Sequence, residues 1–139
     1  MTPSQWLTAH LKAPAEQVAA VRLLDVLERR DLEAASSQLA VGFTMVFPGP
    51  SRFTELAEMA EGAKTRYRRV AKRIEDVESF EREGATVVYV RGTLYGENLH
   101  GVEFEGVRFV DRFEYRAGRF ERQDVWNDLA ESGVLERRA

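Results

Sequence analysis

One carboxylate set in an otherwise apolar row is the feature of this chain best suited to chemistry. In Val107-Arg-Phe-Val-Asp-Arg-Phe-Glu-Tyr115, strand alternation puts Val107, Phe109, Asp111, Phe113 and Tyr115 on one face. Arg108, Val110, Arg112 and Glu114 take the other. The two phenylalanines flanking Asp111 turn their face inward, and the acid goes with them. A buried ionised carboxylate needs a partner or an upward pKa shift. An acid in an apolar cavity is a common basis for an acid–base or hydrogen-bond-donor site. Asp111 is therefore the leading catalytic candidate, with Phe109 and Phe113 as apolar walls for a ligand. The bland alternative is a structural ion pair, with Arg91 of the preceding strand as the partner.

Further side chains have chemistry to offer. Tyr89, Arg91, Thr93 and Tyr95 share one strand face, and Val88, Val90 and Leu94 share the other. If the first row lines a cavity, the hydroxyls of Tyr89 and Tyr95 can bind a ligand. If the valine row faces inward, the tyrosines belong to a dimer interface. Trp126 offers packing or a platform near a cavity rim. His100 lies in a glycine-bounded turn, and His10 in a small amphipathic segment with Trp6, Leu7 and Leu11. Two isolated histidines without acidic residues at ligand spacing make no metal site. Lys64, Arg66, Arg68, Arg69, Lys72 and Arg73 form a basic cluster around Tyr67. Glu75, Asp76, Glu78, Glu81 and Glu83 follow at once, so the cluster reads as a solvated surface rather than a nucleic-acid patch. No glycine-rich phosphate loop is present.

The elements that must hold these groups are helical first and extended afterwards. Residues 14 to 30 read as a helix opened by Pro14, with Val18, Val21, Leu24 and Leu27 on one stripe. Asp31 caps a second helix, Leu32 to Ala40, ended by Gly42. Phe43, Met45 and Phe47 alternate in a short strand stopped by Pro48-Gly49-Pro50. Ser51 caps a third helix carrying Phe53, Leu56, Met59, Ala60 and Ala63. Strands follow over 68 to 82, 85 to 95, 102 to 115 and 120 to 127, the last two joined by a tight hairpin at Ala117-Gly118. Such segregation predicts an α+β fold, with helices on one face of a curved antiparallel sheet.

Composition narrows the function classes. A chain of 139 residues, 44% apolar and 31% charged, suits one domain, 1–139. No stretch approaches the roughly 18 apolar residues of a membrane span. Residues 1 to 14 lack the pattern of a secretory signal. Zero cysteines exclude disulfides and thiolate chemistry. A net charge of −3 argues against a nucleic-acid partner. A cytoplasmic protein is the plain expectation.

The order of elements, with Arg30-Asp31, Phe47-Pro48-Gly49, the strand Arg108 to Tyr115, Gly118-Arg-Phe and Asp124-Val-Trp-Asn-Asp128, resembles the nuclear transport factor 2-like superfamily. The closer resemblance is to its SnoaL-like members, the group around polyketide cyclases and ketosteroid isomerases. It spans Pro14 to Asp128. The resemblance implies a cone with a pocket between helices and concave sheet, and dimerisation through the sheet's outer face. It implies an acid at the end of the last strand, here Asp128 or its neighbour Asn127. Ketosteroid isomerases keep a proton-removing aspartate where this chain has Phe47 and a tyrosine where it has Leu23; only their protonated aspartate has a counterpart, Asp111. Phe47 is thus expected to form a hydrophobic pocket wall. Limonene-epoxide-hydrolase-like relatives suggest Arg108, Asp111 and Asp128, although Arg108 and Asp111 differ in strand parity.

Two functions follow from these readings. One is a pocket protein for a small apolar or partly polar molecule, free of cofactor and metal, running an isomerisation, cyclisation or (de)hydration by proton transfer. Its catalytic residues would be Asp111 and Asp128, with Tyr89, Tyr95, Phe47, Phe109, Phe113, Trp126 and Asn127 around the substrate. The other is a non-catalytic ligand-binding or dimerisation module of the same shape. Neither involves a nucleic acid or a membrane, and both anticipate a homodimer.

Overall fold

The computed structural model describes residues Met1–Ala139. Its elements run α1 (Pro3–Ala9), α2 (Ala15–Glu28), α3 (Leu32–Ser36), β1 (Leu39–Val46), β2 (Arg52–Phe53), α4 (Leu56–Lys64), β3 (Tyr67–Arg82), β4 (Ala85–Asn98), β5 (Glu103–Arg116) and β6 (Arg119–Asn127), then α5 (Leu129–Ser132) and a closing 3-10 turn, Val134–Glu136. Helices and strands segregate as the sequence order predicts, in an α+β fold. No helix is long and apolar enough to cross a membrane.

The six strands form one curved sheet in the order β2-β1-β6-β5-β4-β3. The long strands pair antiparallel, but β1 lies parallel to β6, so the sheet is mixed. Both tight hairpins depend on left-handed backbone. Glu83-Gly84 and Ala117-Gly118 have φ of 51, 80, 50 and 80° in turn, the signature of a two-residue turn matching strand twist. Gly92 and Gly96 have a different reason to be glycine. A β-carbon at either would collide with a carbonyl oxygen of β3, that of Arg73 or Arg69. The close approach coincides with bulges at Ile74/Asp76 and Leu94/Gly96, which bend the sheet around the helices.

The helix layer packs on the concave face. Val21, Leu24 and Leu27 of α2 are buried with Ala20 and Leu23, so the apolar stripe faces the sheet. Across from it lie Val88, Val90 and Leu94 of β4 and Phe109 and Phe113 of β5, all buried.

Three boundaries differ from the sequence expectation. The second helix stops at Ser36 rather than Ala40, because Leu39 enters the sheet opposite Phe120, and the Phe120 N–H donates to Gln38 at 2.9 Å. The third helix begins at Leu56 instead of Ser51. Arg52 and Phe53 pair with Val46 and Met45, and strand pairing overrides the capping serine. The amphipathic segment at the start is a full helix, closed by a reciprocal Thr2–Gln5 capping box and anchored by buried Trp6.

Candidate functional site

Asp111 stands at the centre of the concave face, fully buried. Its partner is Lys72 of β3, whose Nζ donates to Oδ2 at 2.6 Å. Arg91, the partner expected from the sequence, lies on the outer face and pairs with Glu75 and Asp76. Register explains the exchange. Lys72 pairs with Leu94, and Leu94 with Val107, so Lys72 shares the inward face with Asp111. Its ammonium crosses Phe109, 5.0 Å from the ring centroid, to reach the acid. That stacking supplies a cation–π contact and shields the pair from water.

Two more polar groups join them. Glu28, in the last turn of α2, accepts the backbone N–H of Lys72 through Oε1 at 2.7 Å. Burial raises its pKa, and the adjacent Lys72 opposes that rise only in part. Gln123 of β6 is buried beside Asp111. Desolvation pushes the Asp111 pKa up, while Lys72 and then the Gln123 amide favour the charged form. Gln123 makes no well-formed hydrogen bond to it: Asp111 Oδ1 and Gln123 Oε1 are the only buried side-chain polar atoms without a partner.

These groups border a small cavity between helices and sheet, of about 80 Å³. Its lining combines Glu28, Lys72 and Gln123 with apolar Leu24, Met45, Phe47, Met59 and Val125. Asp111 lies behind Lys72 and Gln123 rather than on the cavity surface. A second compartment of about 240 Å³ adjoins it under α4, sharing Phe47, Met59 and Tyr67 as its partition. Arg30 stands at one rim and Arg66 at the other.

The remaining sequence candidates divide by face. Phe47 does face the cavity, set edge-on to Phe53 at 5.7 Å. Phe109 lies under Lys72. Phe113 is fully buried against Phe120 and fills the core instead of lining the cavity. Tyr89, Tyr95 and Trp126 are corrections. The valine row of β4 took the inward face, so both tyrosines point outward, Tyr95 under the guanidinium of Arg73. Trp126 pairs with outward Val110 and is 52% exposed. Asn127 and Asp128 do not border the inner cavity; with Trp126 they line a groove on the outer face. The Asn127 side chain accepts the Leu129 N–H and so opens α5. Asp128 pairs with exposed Arg108 at 2.6 Å. Arg108 and Asp111 lie on opposite faces, which dissolves the hydrolase-like trio. The histidines do no more than the sequence suggested: His10 stacks on Trp6 and His100 is an exposed turn residue.

A larger open groove of about 610 Å³ occupies the outer face around Pro48, Arg91, Arg108, Trp126 and Asp128. Its charges are tied up in ion pairs between exposed or partly exposed side chains. The inner cavity is the better candidate for chemistry despite its size.

Lys72, Glu28 and Gln123 escaped the sequence reading, although two of them had a signal. Lys72 is the one charge in the row Val70, Lys72, Ile74. Glu28 follows Leu24 by four residues and Val21 by seven, which places it on the apolar stripe of its helix. Gln123 had none, because its face is set by a bulge between Phe120 and Arg122.

No protein-family model and no curated protein matches the sequence. Solved structures do match. A protein of SnoaL-like polyketide cyclase type from Shewanella putrefaciens CN-32 superposes with a TM-score of 0.73 at 14% identity, over 98% of this chain and 95% of that one. TerC, co-crystallised with polyporic acid, gives 0.71 at 21% identity, over 86% and 96%. An NTF2-like protein of unknown function from Burkholderia pseudomallei K96243 gives 0.68 at 19% identity, over 88% and 98%. The chain shares its fold with these SnoaL-like and NTF2-like structures.

Proposed function

We propose that the protein takes a small, largely apolar molecule into the cavity between helices and sheet, and that Lys72 and Glu28 are the groups that touch it. The observation that carries this reading is a buried Asp111–Lys72 pair at 2.6 Å beside a half-buried carboxyl in an otherwise apolar cavity. The chemistry would be cofactor-free proton transfer of the isomerase, cyclase or (de)hydratase kind. The Lys72 ammonium would stabilise negative charge developing on a substrate oxygen. Glu28, its pKa raised by burial, would exchange the proton. Asp111 would act through Lys72 as a positioning residue, so its assignment as catalytic changes in kind. Asp128, paired at the outer rim, has no part in it.

The size of the cavity requires that Met59 or Tyr67 move and join the two compartments, since an apolar cavity of about 150 Å³ is what benzene fills. TerC was crystallised with polyporic acid, which supports a small organic ligand for this fold. The test is a crystal of protein purified without added ligand. Density for an organic molecule against Lys72 is expected. A water-filled cavity, in protein that releases no compound on denaturation, would overturn the reading.

A non-catalytic binding role has one observation in its favour: Phe47 stands where the resemblance expects a base. The two readings separate on catalysed α-proton exchange of a small aryl ketone in D2O. Exchange lost in Glu28→Gln supports catalysis; no exchange in the native protein supports binding alone. We also propose that a second copy covers part of the outer face, where Phe80, Tyr89 and Trp126 are exposed. This face is more polar than the sequence suggested, since ion pairs surround the aromatic residues.

A further inference from the structure

Resting on the cavity reading above, we infer that the ligand carries a hydroxyl group, phenolic or enolic, which bridges Lys72 Nζ and Gln123 Oε1. Asp111 Oδ1 and Gln123 Oε1 are both buried and both without a partner, and they belong to one cluster. With Asp111 ionised on Lys72, both are acceptors and neither can satisfy the other. Turning the Gln123 amide does not help. With its NH2 toward Asp111, the amide oxygen is bare; with its oxygen toward Asp111, the carboxylate oxygen is bare. Buried polar groups are nearly always paired, and an orphan lowers stability. A group donating from the cavity would satisfy the acceptor left over.

The neighbouring groups narrow its chemistry. Gln123 lines the cavity next to Lys72, which spends one of its three N–H donors on Asp111. The ammonium is partly exposed and has donors left over. An incoming group must therefore donate to Gln123 and accept from Lys72 at once. A hydroxyl does both; a ketone, an ether or a hydrocarbon does not. The apolar remainder of the lining, from Leu24 to Phe47 and Val125, fits an aromatic or enolic carbon frame. An enol is also one of the two species that proton transfer by Glu28 interconverts.

The test uses phenol, anisole and toluene as probes of nearly equal size. Methyl NMR of Met45 and Met59, which line the cavity, reports binding, with Met1 as the internal control. Phenol is expected to shift Met45 and Met59 but not Met1, and to bind about tenfold or more tightly than anisole or toluene, the effect of one buried hydrogen bond. In Gln123→Leu that preference should fall to near parity. Equal binding of all three probes by the native protein would overturn the hydroxyl inference, leave the cavity reading intact, and assign the orphaned acceptors to water. Failure of all three to perturb either methionine would remove the cavity reading together with the inference. If Gln123→Leu does not fold, the native phenol-to-anisole ratio decides alone.

Discussion

Replacing Lys72 by Met keeps the stem and removes the charge, which leaves Asp111 buried without a cation. The acid then has two courses. Staying ionised strands a charge, at about 3–5 kcal/mol for a broken buried pair. Taking up a proton sets a ceiling, because the unfolded chain releases it near the ordinary value of 3.8. At pH 7 that ceiling is about 4.4 kcal/mol, roughly 1.4 kcal/mol for each unit between 3.8 and 7. At pH 5 it is only about 1.6 kcal/mol on the same basis. The sign follows from the direction of the shift. A folded pKa above the unfolded one gives stability that is complete below 3.8 and is lost as pH rises through the folded value. The Glu28 pKa, also raised, pulls the same way once Lys72 stops opposing it.

Thermal unfolding followed by circular dichroism measures this directly. For a chain of this size about 4 °C accompanies each kcal/mol. Lys72→Met should therefore melt up to about 18 °C below the native protein at pH 7, and within about 6 °C of it at pH 5. Asp111→Asn should be milder, since the partly exposed Lys72 can turn its ammonium to the cavity and its water. The double variant should be no worse than Lys72→Met, because no charge is left stranded. A pH-independent loss for Lys72→Met, or a larger loss for Asp111→Asn, would refute the pairing as described.

Three further outcomes are expected. Glu28→Gln keeps an acceptor for the Lys72 N–H and deletes the desolvated charge, so it should melt at or above the native temperature at pH 8 while abolishing any proton exchange; urea titration and D2O exchange check the two halves. Native protein should not measurably isomerise a steroid-like β,γ-unsaturated ketone, and Phe47→Asp should destabilise the fold by about 2–4 kcal/mol by placing another acid in the cavity; a turnover assay and a denaturation curve decide. Sedimentation equilibrium at micromolar concentration should show a dimer that Trp126→Glu dissociates, and a monomeric native protein would remove the outer-face proposal.

How much of this could be read from the sequence depended on whether a residue's face was fixed locally. Strand alternation sufficed for Asp111, because Phe109 and Phe113 flank it and no register shift falls between Phe109 and Glu114. It also separated Arg108 from Asp111. For β4 alternation gave two rows and no choice between them. The choice was made by α2, whose Leu24 and Leu27 accept a valine row and not one holding Arg91. Lys72 sits in a charge-rich run where composition hides alternation. Gln123 and Asn127 follow a bulge that only the closed sheet specifies. The helix ends moved for the same reason: Leu39 and Phe53 found strand partners far away in sequence or across a loop, so pairing shortened the helix that Asp31 does cap and outweighed the cap at Ser51.

The cluster is best understood through its proton count. Glu28 and Asp111 are two carboxylates near one ammonium, with the Arg30 guanidinium farther out at the rim, so the three inner groups carry a net negative charge when fully ionised. Burial raises both pKa values, and the nearby Lys72 charge opposes each rise only in part. The set is electrically neutral when it holds one extra proton. That proton is the one acid–base chemistry can use. Where it is exchanged follows from access: Asp111 is sealed behind Lys72 and Gln123, and Glu28 opens onto the cavity. On the proposed reading a ligand therefore meets the proton at Glu28, while Asp111 fixes how strongly Lys72 draws charge onto the ligand oxygen. The chemistry enters from α2 and β3, and the end of β1, where Phe47 stands, serves as wall.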